Sequence, residues 1–354
     1  MYPALKSGVP ASKGDHVSKG FASFLQFIVV LFGVLSCAAA QTNWKVDKTF
    51  HVGGEGGWDY VTVDGTHHRL FVTRSTHTMA IDTDTGQVLG DIPGQIRSHG
   101  VALVPKLGRG FITDGGGNGA IIVFDLKTYA VLGRIPAMPD ADGIIYDAKL
   151  DEVLAVSGDG GALMTFRPDI DPKHGSIDPP ILLGGSPEFL ASDGSGKVYV
   201  NLEDKDTVAV VDLQSRKVTA RWSVKPAGHP VGMAIDPAHH RLFIGARNPQ
   251  KLVVMNAETG AIEGTLPIGG GVDANAFDQG QAFSSCGDGT LTIAGTKGGS
   301  WGIEQTVKTP PGARTMGLDG ATGHIYLPTA QLEPIASGRP KPRPGTFMIV
   351  VVGH

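Results

Sequence analysis

The sequence predicts an all-β protein, a seven-bladed β-propeller whose blades are four-stranded antiparallel sheets. The first observation is a short apolar segment that recurs seven times at intervals of roughly 40–46 residues, the spacing of propeller blades. The second is a series of tight turns, rich in Asp, Asn and Gly, between neighbouring segments. The third is an N-terminal segment that supplies the strand missing from the last repeat, so that the ring closes.

The first 40 residues precede the repeats and differ from them in composition. Three lysines come before an apolar run at 21–35, and small residues end it at 38–40. A basic start, a short apolar core and a small-residue ending describe a secretory signal peptide. We therefore expect cleavage after Ala40, export to the periplasm or the medium, and a mature chain of 41–354. A membrane anchor is the alternative, although the run is short for a membrane span.

The two cysteines fall on either side of the predicted cleavage site. Cys37 ends the sequence Val-Leu-Ser-Cys, a loose match to the bacterial lipobox, and a lipid anchor at Cys37 is the less favoured version of export. Cleavage leaves Cys286 without an intrachain partner, so no disulfide is expected to support the fold. The simplest interpretation of Cys286 is a small buried filler beside a turn.

The second strand of each unit is the most regular element. Its seven copies lie at 70–73, 110–113, 153–156, 198–200, 242–244, 281–284 and 324–327. Third strands follow at 78–81, 121–124, 208–211, 252–255 and 291–293. Several of them end in an Asp or Asn and a turn that closes with Gly, as at Asp82 and Asn256, which favours a tight hairpin. Fourth strands come next, as at 88–92 and 218–222.

The seventh unit ends after its third strand, at 347–352. The segment 48–54 resembles the fourth strand at 264–270, so we expect residues 43–59 to complete the last blade. This pairing leaves no open sheet edge. Two proline-rich insertions, 167–180 and 331–344, are predicted as loops.

The repeat resembles that of the YVTN-type β-propellers, typified by YncE-like bacterial proteins. The resemblance rests on a V-Y-V strand such as 198–200, an Asn or Asp turn, a V-x-V-x-D strand and a T-G turn, and it covers essentially 43–354. It implies the fold and export, but no activity, because propellers include both binding proteins and enzymes. Binding of single-stranded nucleic acid is associated with the family type. The formal charge of −4 argues against it here.

A ring of ionisable residues is predicted at one mouth of the central channel. The first strand of each blade lines the channel and ends in an Asp, replaced by Val104 in the second unit. The residue five positions before this end should lie at one height in all blades. In chain order these residues are Asp59, His99, Asp142, Glu188, Val231, Asp273 and Arg314. Equivalent loops of repeat proteins converge on binding sites. The ring is therefore the best candidate site in the sequence.

The residue types of the ring indicate three kinds of ligand. The carboxylates of Asp59, Asp142, Glu188 and Asp273 suit a divalent cation such as Ca²⁺ or Mg²⁺. His99, with His229 and Cys286 nearby, would favour a transition metal. Arg314 and His99 would instead clamp a carboxylate or phosphate group. The structural alternative is that these side chains only hydrate the channel and hydrogen-bond the inner strands.

The loops between second and third strands are predicted to reach the same mouth. They bring Arg74, Glu203 and Arg247, among others, and the long loop at 331–344 adds Arg339, Lys341 and Arg343. Each of these residues alone is typical of a solvated turn. Together they make this face chemically richer than the opposite one.

The leading functional hypothesis is an exported propeller that binds a small ligand, a metal ion or a protein partner at the channel mouth. We expect a monomer with no membrane span in the mature chain and no nucleic-acid partner. The alternative is a propeller enzyme, lactonase-like or lyase-like by analogy of fold, assisted by a divalent cation. His99 would then be the base and Arg314 would stabilise developing negative charge.

Overall fold

The computed structural model describes residues 43–334 and 340–354, so the predicted signal peptide and Cys37 lie outside the described residues. Seven four-stranded antiparallel sheets form a ring, which confirms the predicted seven-bladed β-propeller. Three short 3-10 turns are the helical elements of the described chain: Gly65–His67, Pro105–Leu107 and Glu203–Lys205. No helix within the described ranges is long and apolar enough to cross a membrane.

Six of the blades take their four strands consecutively from the chain. Blade 1 contains β2 (Val61–Asp64), β3 (Arg69–Thr73), β4 (Thr78–Asp82) and β5 (Val88–Ile92). Blade 2 contains β6 (Ser98–Val104), β7 (Arg109–Asp114), β8 (Ala120–Asp125) and β9 (Val131–Pro136). Blade 3 contains β10 (Ala141–Asp147), β11 (Glu152–Ser157), β12 (Ala162–Phe166) and β13 (Ile181–Leu182).

The second half of the ring repeats this arrangement. Blade 4 contains β14 (Pro187–Ser192), β15 (Lys197–Leu202), β16 (Thr207–Asp212) and β17 (Lys217–Ser223). Blade 5 contains β18 (Pro230–Asp236), β19 (Arg241–Arg247), β20 (Gln250–Asn256) and β21 (Ile262–Pro267). Blade 6 contains β22 (Val272–Asp278), β23 (Gln281–Cys286), β24 (Thr290–Lys297) and β25 (Ser300–Lys308).

Blade 7 joins the two ends of the described chain. It contains β26 (Gly317–Leu318), β27 (Ile325–Thr329), β30 (Met348–Gly353) and, as its outer strand, β1 (Lys45–His51). The register runs from Lys45 opposite Gly353 to His51 opposite Met348. This outer strand lies within the predicted segment 43–59, and its last residue, His51, is the counterpart of Pro267, the last residue of β21. The strand ends at His51 because Gly53 and Gly54 have positive φ angles, which turn the chain towards blade 1.

Burial follows the position of a strand within its blade. The second and third strands carry continuous apolar runs, as in β7 and β8, and are buried on both faces between neighbouring blades. The outer strands alternate between half-buried and exposed residues, as in β17, because one face meets solvent. The core is therefore a set of apolar layers between blades, and the first strands are left to line the channel.

Both predicted insertions are loops. The first, at 167–180, shortens the outer strand of blade 3 to two residues and covers β12, where the Asp178 carboxylate accepts a hydrogen bond from the Thr165 hydroxyl. The second contains a small hairpin of β28 (Leu332–Glu333) and β29 (Lys341–Pro342). Arg339 lies outside the described residues.

Candidate functional site

A β-bulge marks the ring position in five consecutive blades. The register between first and second strands shifts at 98/101, 141/144, 187/190, 230/233 and 272/274. The residues within these shifts include His99, Asp142, Glu188, Val231 and Asp273, all of them ring positions. A bulge bends a strand and redirects the side chain that it carries. The irregular backbone therefore sets the ring residues apart from the regular strand below them.

Hydrogen bonds between neighbouring blades fix the backbone of the ring. At the end of its second strand, one blade donates a side-chain hydrogen bond to the carbonyl of the ring residue in the next blade. The pairs are Thr73 to His99, Thr113 to Asp142, Asn201 to Val231 and Ser285 to Arg314. Thr315 of blade 7 donates to the carbonyl of Asp59 at 2.7 Å. Five of the seven ring carbonyls are thus held by an adjacent blade, which positions their side chains.

Asp59, His99 and Asp142 come together on one side of the mouth. The Nδ1 atom of His99 lies 2.7 Å from Oδ2 of Asp59 and 3.4 Å from Oδ1 of Asp142. The three side chains are between 15 and 20 % exposed. Their ligand atoms all lie within 4.8 Å of one another, close enough for one metal ion. The Nε2 atom of His99 is buried and has no hydrogen-bond partner among the described residues.

Burial and charge hold protons in this cluster. Burial alone would lower the pKa of His99, but the hydrogen bond to Asp59 and the charges of Asp142 and Asp59 raise the pKa to about 9. The imidazole is therefore a cation at neutral pH. Burial raises the pKa of Asp142 to about 7, against the opposing charge of His99 and with help from the charge of Asp59. At neutral pH the cluster therefore holds the imidazolium proton of His99, and Asp142 is protonated for part of the time.

Asp273 and two arginines occupy the other side of the mouth. The Asp273 carboxylate accepts hydrogen bonds from the guanidinium groups of both Arg247 and Arg314. Arg314 also donates to the Trp58 carbonyl at 3.2 Å and lies 3.8 Å from the Asp59 carboxylate. Arg314 therefore connects the two sides of the mouth, and its direct partner is Asp273 rather than open solvent.

The ion pairs continue around the channel as one series, here called the mouth chain. Its members, in order of contact, are His229, Glu203, Arg247, Asp273, Arg314, Asp59, His99 and Asp142. Basic and acidic side chains alternate along it. Such alternation lowers the electrostatic cost of placing so many charges in a partly buried space.

Glu188 forms a carboxyl pair with Glu203, which is a member of the mouth chain. Burial, a hydrogen bond with Glu203 and the charge of Asp142 raise the pKa of Glu188 to about 10. The same hydrogen bond lowers the pKa of Glu203. Glu188 is thus the protonated member and donates to Glu203. His229, predicted as a ligand-binding residue, lies 3.4 Å from Glu203, is half exposed, and is not part of the Asp59 cluster.

Replacing Glu188 by glutamine should stabilise the protein at alkaline pH and have little effect in acid. Folding keeps Glu188 protonated up to about pH 10, whereas the unfolded chain loses this proton near pH 4.5. The stability of the wild type therefore falls as pH rises between these values, while glutamine is neutral throughout. We expect a gain of roughly 2 kcal/mol in the free energy of unfolding at pH 8. Urea unfolding at pH 4.5 and pH 8 measures it.

The control for this change is Glu333→Gln, which removes a carboxylate from the exposed pair of Glu333 and Arg343. It should change stability by less than about 1 kcal/mol at both pH values. If Glu188→Gln lost the same amount of stability at pH 4.5 and at pH 8, this result would contradict a proton donated by Glu188 to Glu203.

Tyr60 is a site residue that sequence reasoning missed. It follows Asp59 directly and is buried under the ring. Burial, and then the charges of Asp142, Asp273, Asp59 and Glu188, raise the pKa of Tyr60 well above its usual value of 10. Its ring meets that of Phe189, from the far side of the channel, with centroids 4.8 Å apart. An aromatic residue at the start of a strand is typical of a core, so no sequence signal distinguished it.

The loop residues expected at the mouth divide into two groups. Glu203 and Arg247 join the mouth chain. Arg74 is buried among backbone carbonyls, and Asp114 is buried where it accepts hydrogen bonds from the backbone amides of Ile96 and Arg97. Arg74 and Asp114 therefore hold loops in place.

Cys286 is also structural. It is buried, and burial followed by the charge of Asp288 raises the pKa of its thiol to about 12. A thiol at this pKa is unreactive at neutral pH. Among the described residues, the possible metal group contains Asp59, His99 and Asp142, and neither Cys286, Glu188 nor Asp273 belongs to it.

Comparison with known proteins shows the fold. No family model and no curated protein matches this sequence. The chain is similar to a solved structure of Kuenenia stuttgartiensis hydrazine synthase, with 12 % identity over 78 % of this chain and 93 % of that chain and a TM-score of 0.66. It is also similar to the WD40 β-propeller domain of Doa1, with 15 % identity over 88 % and 97 % and a TM-score of 0.67.

A third similar structure is a chain of the mitotic checkpoint complex, with 14 % identity over 86 % of this chain and 95 % of that chain and a TM-score of 0.68. At these identities the similarity concerns the propeller fold alone. The function must be argued from the site itself.

Proposed function

We propose that this chain is an exported YVTN-type propeller that binds a divalent transition-metal ion at the mouth of its channel, through Asp59, His99 and Asp142. The observation that carries the proposal is the convergence of one imidazole nitrogen and two carboxylates within 4.8 Å. Export rests on the sequence pattern of residues 1–40, with Cys37 as the position of a lipid anchor in its less favoured form.

The ligand types select the class of metal. Ca²⁺ and Mg²⁺ prefer sites made of oxygen atoms alone. A mixed set of one imidazole and two carboxylates suits Zn²⁺ and other first-row transition metals. Three protein ligands would leave at least one coordination position of Zn²⁺ for water or a further ligand. Because the cluster faces the channel mouth, such a ligand would arrive from solvent.

The neighbouring groups support this role. Thr113 and Thr315 hold the backbones of Asp142 and Asp59, and Arg314 lies 3.8 Å from the Asp59 carboxylate. When hydrogen bonds already hold the metal ligands in place, less conformational entropy is lost on metal binding. The protons carried by His99 and Asp142 would leave on metal binding, since a metal ion and a proton compete for the same atoms.

Titration with Zn²⁺ tests the proposal. A saturating amount, about 100 times the Kd, should stabilise the protein by about 2.7 kcal/mol and raise the melting temperature. Zn²⁺ must displace the His99 proton, whose pKa is about 9, so binding strengthens as pH rises. We expect the affinity to increase at least roughly 100-fold between pH 6 and pH 8, one factor of ten per pH unit for the displaced proton. Thermal shift and calorimetry measure both effects.

Ca²⁺ and Mg²⁺ serve as the comparison cations in the same titration. They should bind more weakly than Zn²⁺, because the imidazole is a poor ligand for them. The proposal fails if no cation raises the melting temperature. It also fails if Ca²⁺ binds best and its affinity does not change with pH.

A second candidate function is proton-transfer catalysis at the same mouth. The observation that favours it is the pKa of Asp142, about 7, which suits a general acid or base at neutral pH. His99 is less suited to act as the base, because its raised pKa keeps it protonated. Hydrolysis of a lactone whose pH–rate profile bends near pH 7, and which Asp142→Asn abolishes, would support this candidate.

A further inference from the structure

The end of the channel opposite the mouth chain contains two adjoining cavities. One, of about 470 Å³, is lined by the second halves of the first strands of blades 1 to 3. The other, of about 400 Å³, is lined by the corresponding parts of blades 3 to 5. Ile145, Tyr146 and Phe189 line both cavities, so the two are neighbours.

The two cavities, here together called the lower chamber, are separated from the mouth chain by an aromatic contact. Tyr60 of blade 1 and Phe189 of blade 4 meet across the channel, with ring centroids 4.8 Å apart. Tyr60 is buried and packs in the same apolar cluster as Met316 and Ala274 from blades 7 and 6. This contact therefore lies between the mouth chain and the two cavities, and Phe189 forms part of the wall of both.

The walls of the lower chamber are largely apolar. The side chains that define its chemistry are Val63, Leu103, Ile145, Phe189, Met233 and Ile235. Apolar side chains around a space of this size are typical of sites for small organic molecules, which usually measure about 300–1,000 Å³. When only water fills such a cavity, its apolar walls stay hydrated. An apolar ligand that displaces this water gains hydrophobic stabilisation.

Several polar groups of the walls already have partners within the protein. The Thr62 hydroxyl donates to the Val101 carbonyl at 2.7 Å, and the Tyr146 hydroxyl donates to Asp151 at 2.9 Å. Asp64 is paired with Arg69, and Ser192 donates to Asp147. These groups would therefore offer a ligand few hydrogen bonds. The lining carries three carboxylates against the one ammonium group of Lys149, so its net charge would repel an anion.

From these observations we propose that the lower chamber is a second binding site, which takes a small, uncharged and largely apolar molecule. The proposal does not rest on metal binding at the other end of the channel. Each site has its own residues, and the Tyr60–Phe189 contact lies between them.

The uncharged fluorescent compound N-phenyl-1-naphthylamine tests this site. We expect saturable binding to the folded protein, with weaker binding of the anionic dye 1-anilino-8-naphthalenesulfonate. Ile145→Asp should weaken binding of the uncharged compound at least about tenfold, because it places a carboxylate among apolar walls. Ile145→Phe should also weaken binding, because it fills the chamber without adding charge.

The matched control is Val131→Asp, the same kind of change on the exposed outer strand β9 of blade 2. It should leave binding unchanged. The proposal is overturned if the folded protein shows no saturable binding, or if Val131→Asp weakens binding as much as the two Ile145 variants do. Equal affinity for the anionic dye would overturn the proposed class of ligand.

Discussion

Replacing Arg74 by methionine should lower the free energy of unfolding by about 3–5 kcal/mol, because it removes a buried guanidinium and its four hydrogen bonds to backbone carbonyls. The Arg74 side chain is 1 % exposed. Its guanidinium donates to the carbonyls of Gly53, Glu55, Gly56 and Gly57 at distances of 2.7 to 3.3 Å. Methionine keeps much of the apolar stem and removes all of these donors.

Arg74 also has an unusual charge environment. Its guanidinium lies 3.6 Å from the centre of the Phe347 ring, and burial lowers its pKa to about 10, so that it remains charged at neutral pH. The segment that it binds leads from the closing strand β1 into Asp59. Loss of Arg74 should therefore loosen the junction between blades 7 and 1 and, with it, the position of Asp59, one of the proposed metal ligands.

Guanidinium chloride unfolding and thermal melting measure the effect of Arg74→Met. A loss of 3–5 kcal/mol corresponds to a fall of roughly 10 °C in melting temperature, at about 2–4 °C per kcal/mol for a large domain. Arg97→Met is the matched control: Arg97 is 53 % exposed and pairs with Asp140 at the surface. Arg97→Met should lower the free energy of unfolding by less than about 1 kcal/mol. Similar losses in the two variants would contradict the role assigned to Arg74.

Replacing His99 by alanine should weaken Zn²⁺ binding by more than about 100-fold, since loss of a partner that only supports a ligand already costs 10- to 100-fold. His99 contributes the nitrogen of the proposed site and lies between the two carboxylates that complete it. Calorimetry in buffers of different ionisation enthalpy should also show that fewer protons are released on binding, because the variant lacks the imidazolium proton.

His229→Ala provides a matched control for His99→Ala. His229 also faces a carboxylate at the channel mouth, Glu203, but it lies outside the cluster of Asp59, His99 and Asp142. It should leave the Zn²⁺ affinity within about threefold of the wild type, as expected for a residue that neither ligates nor supports the metal. If His99→Ala binds Zn²⁺ as well as His229→Ala does, the metal site lies elsewhere.

Much of the fold could be predicted from the sequence because its signals are local. The alternation of apolar strands and Asx–Gly turns at a fixed spacing depends on residues within one blade. The missing strand of blade 7 could be found because its counterpart at 264–270 is recognisable by comparison. The residue at which β1 ends is set by Gly53 and Gly54, whose positive φ angles turn the chain after His51.

The candidate site was only partly predictable. Aligning the repeats placed Asp59, His99 and Asp142 at equivalent positions, and symmetry alone then brings such residues to one mouth. The alignment could not show that Arg74 turns into the protein while Arg247 turns into the channel, although both follow a second strand. Which partner each arginine meets depends on side-chain direction and on loops from other blades.

The sequence by itself determined the number of blades, the way that the ring closes and the set of ionisable residues at one mouth, because each of these follows from a periodic pattern read along the chain. Only the tertiary structure decided how those residues pair. The alternation of acidic and basic groups in the mouth chain and the meeting of Tyr60 with Phe189 join residues from separate blades. Such contacts depend on distances of a few ångströms across the channel, and no local pattern encodes them.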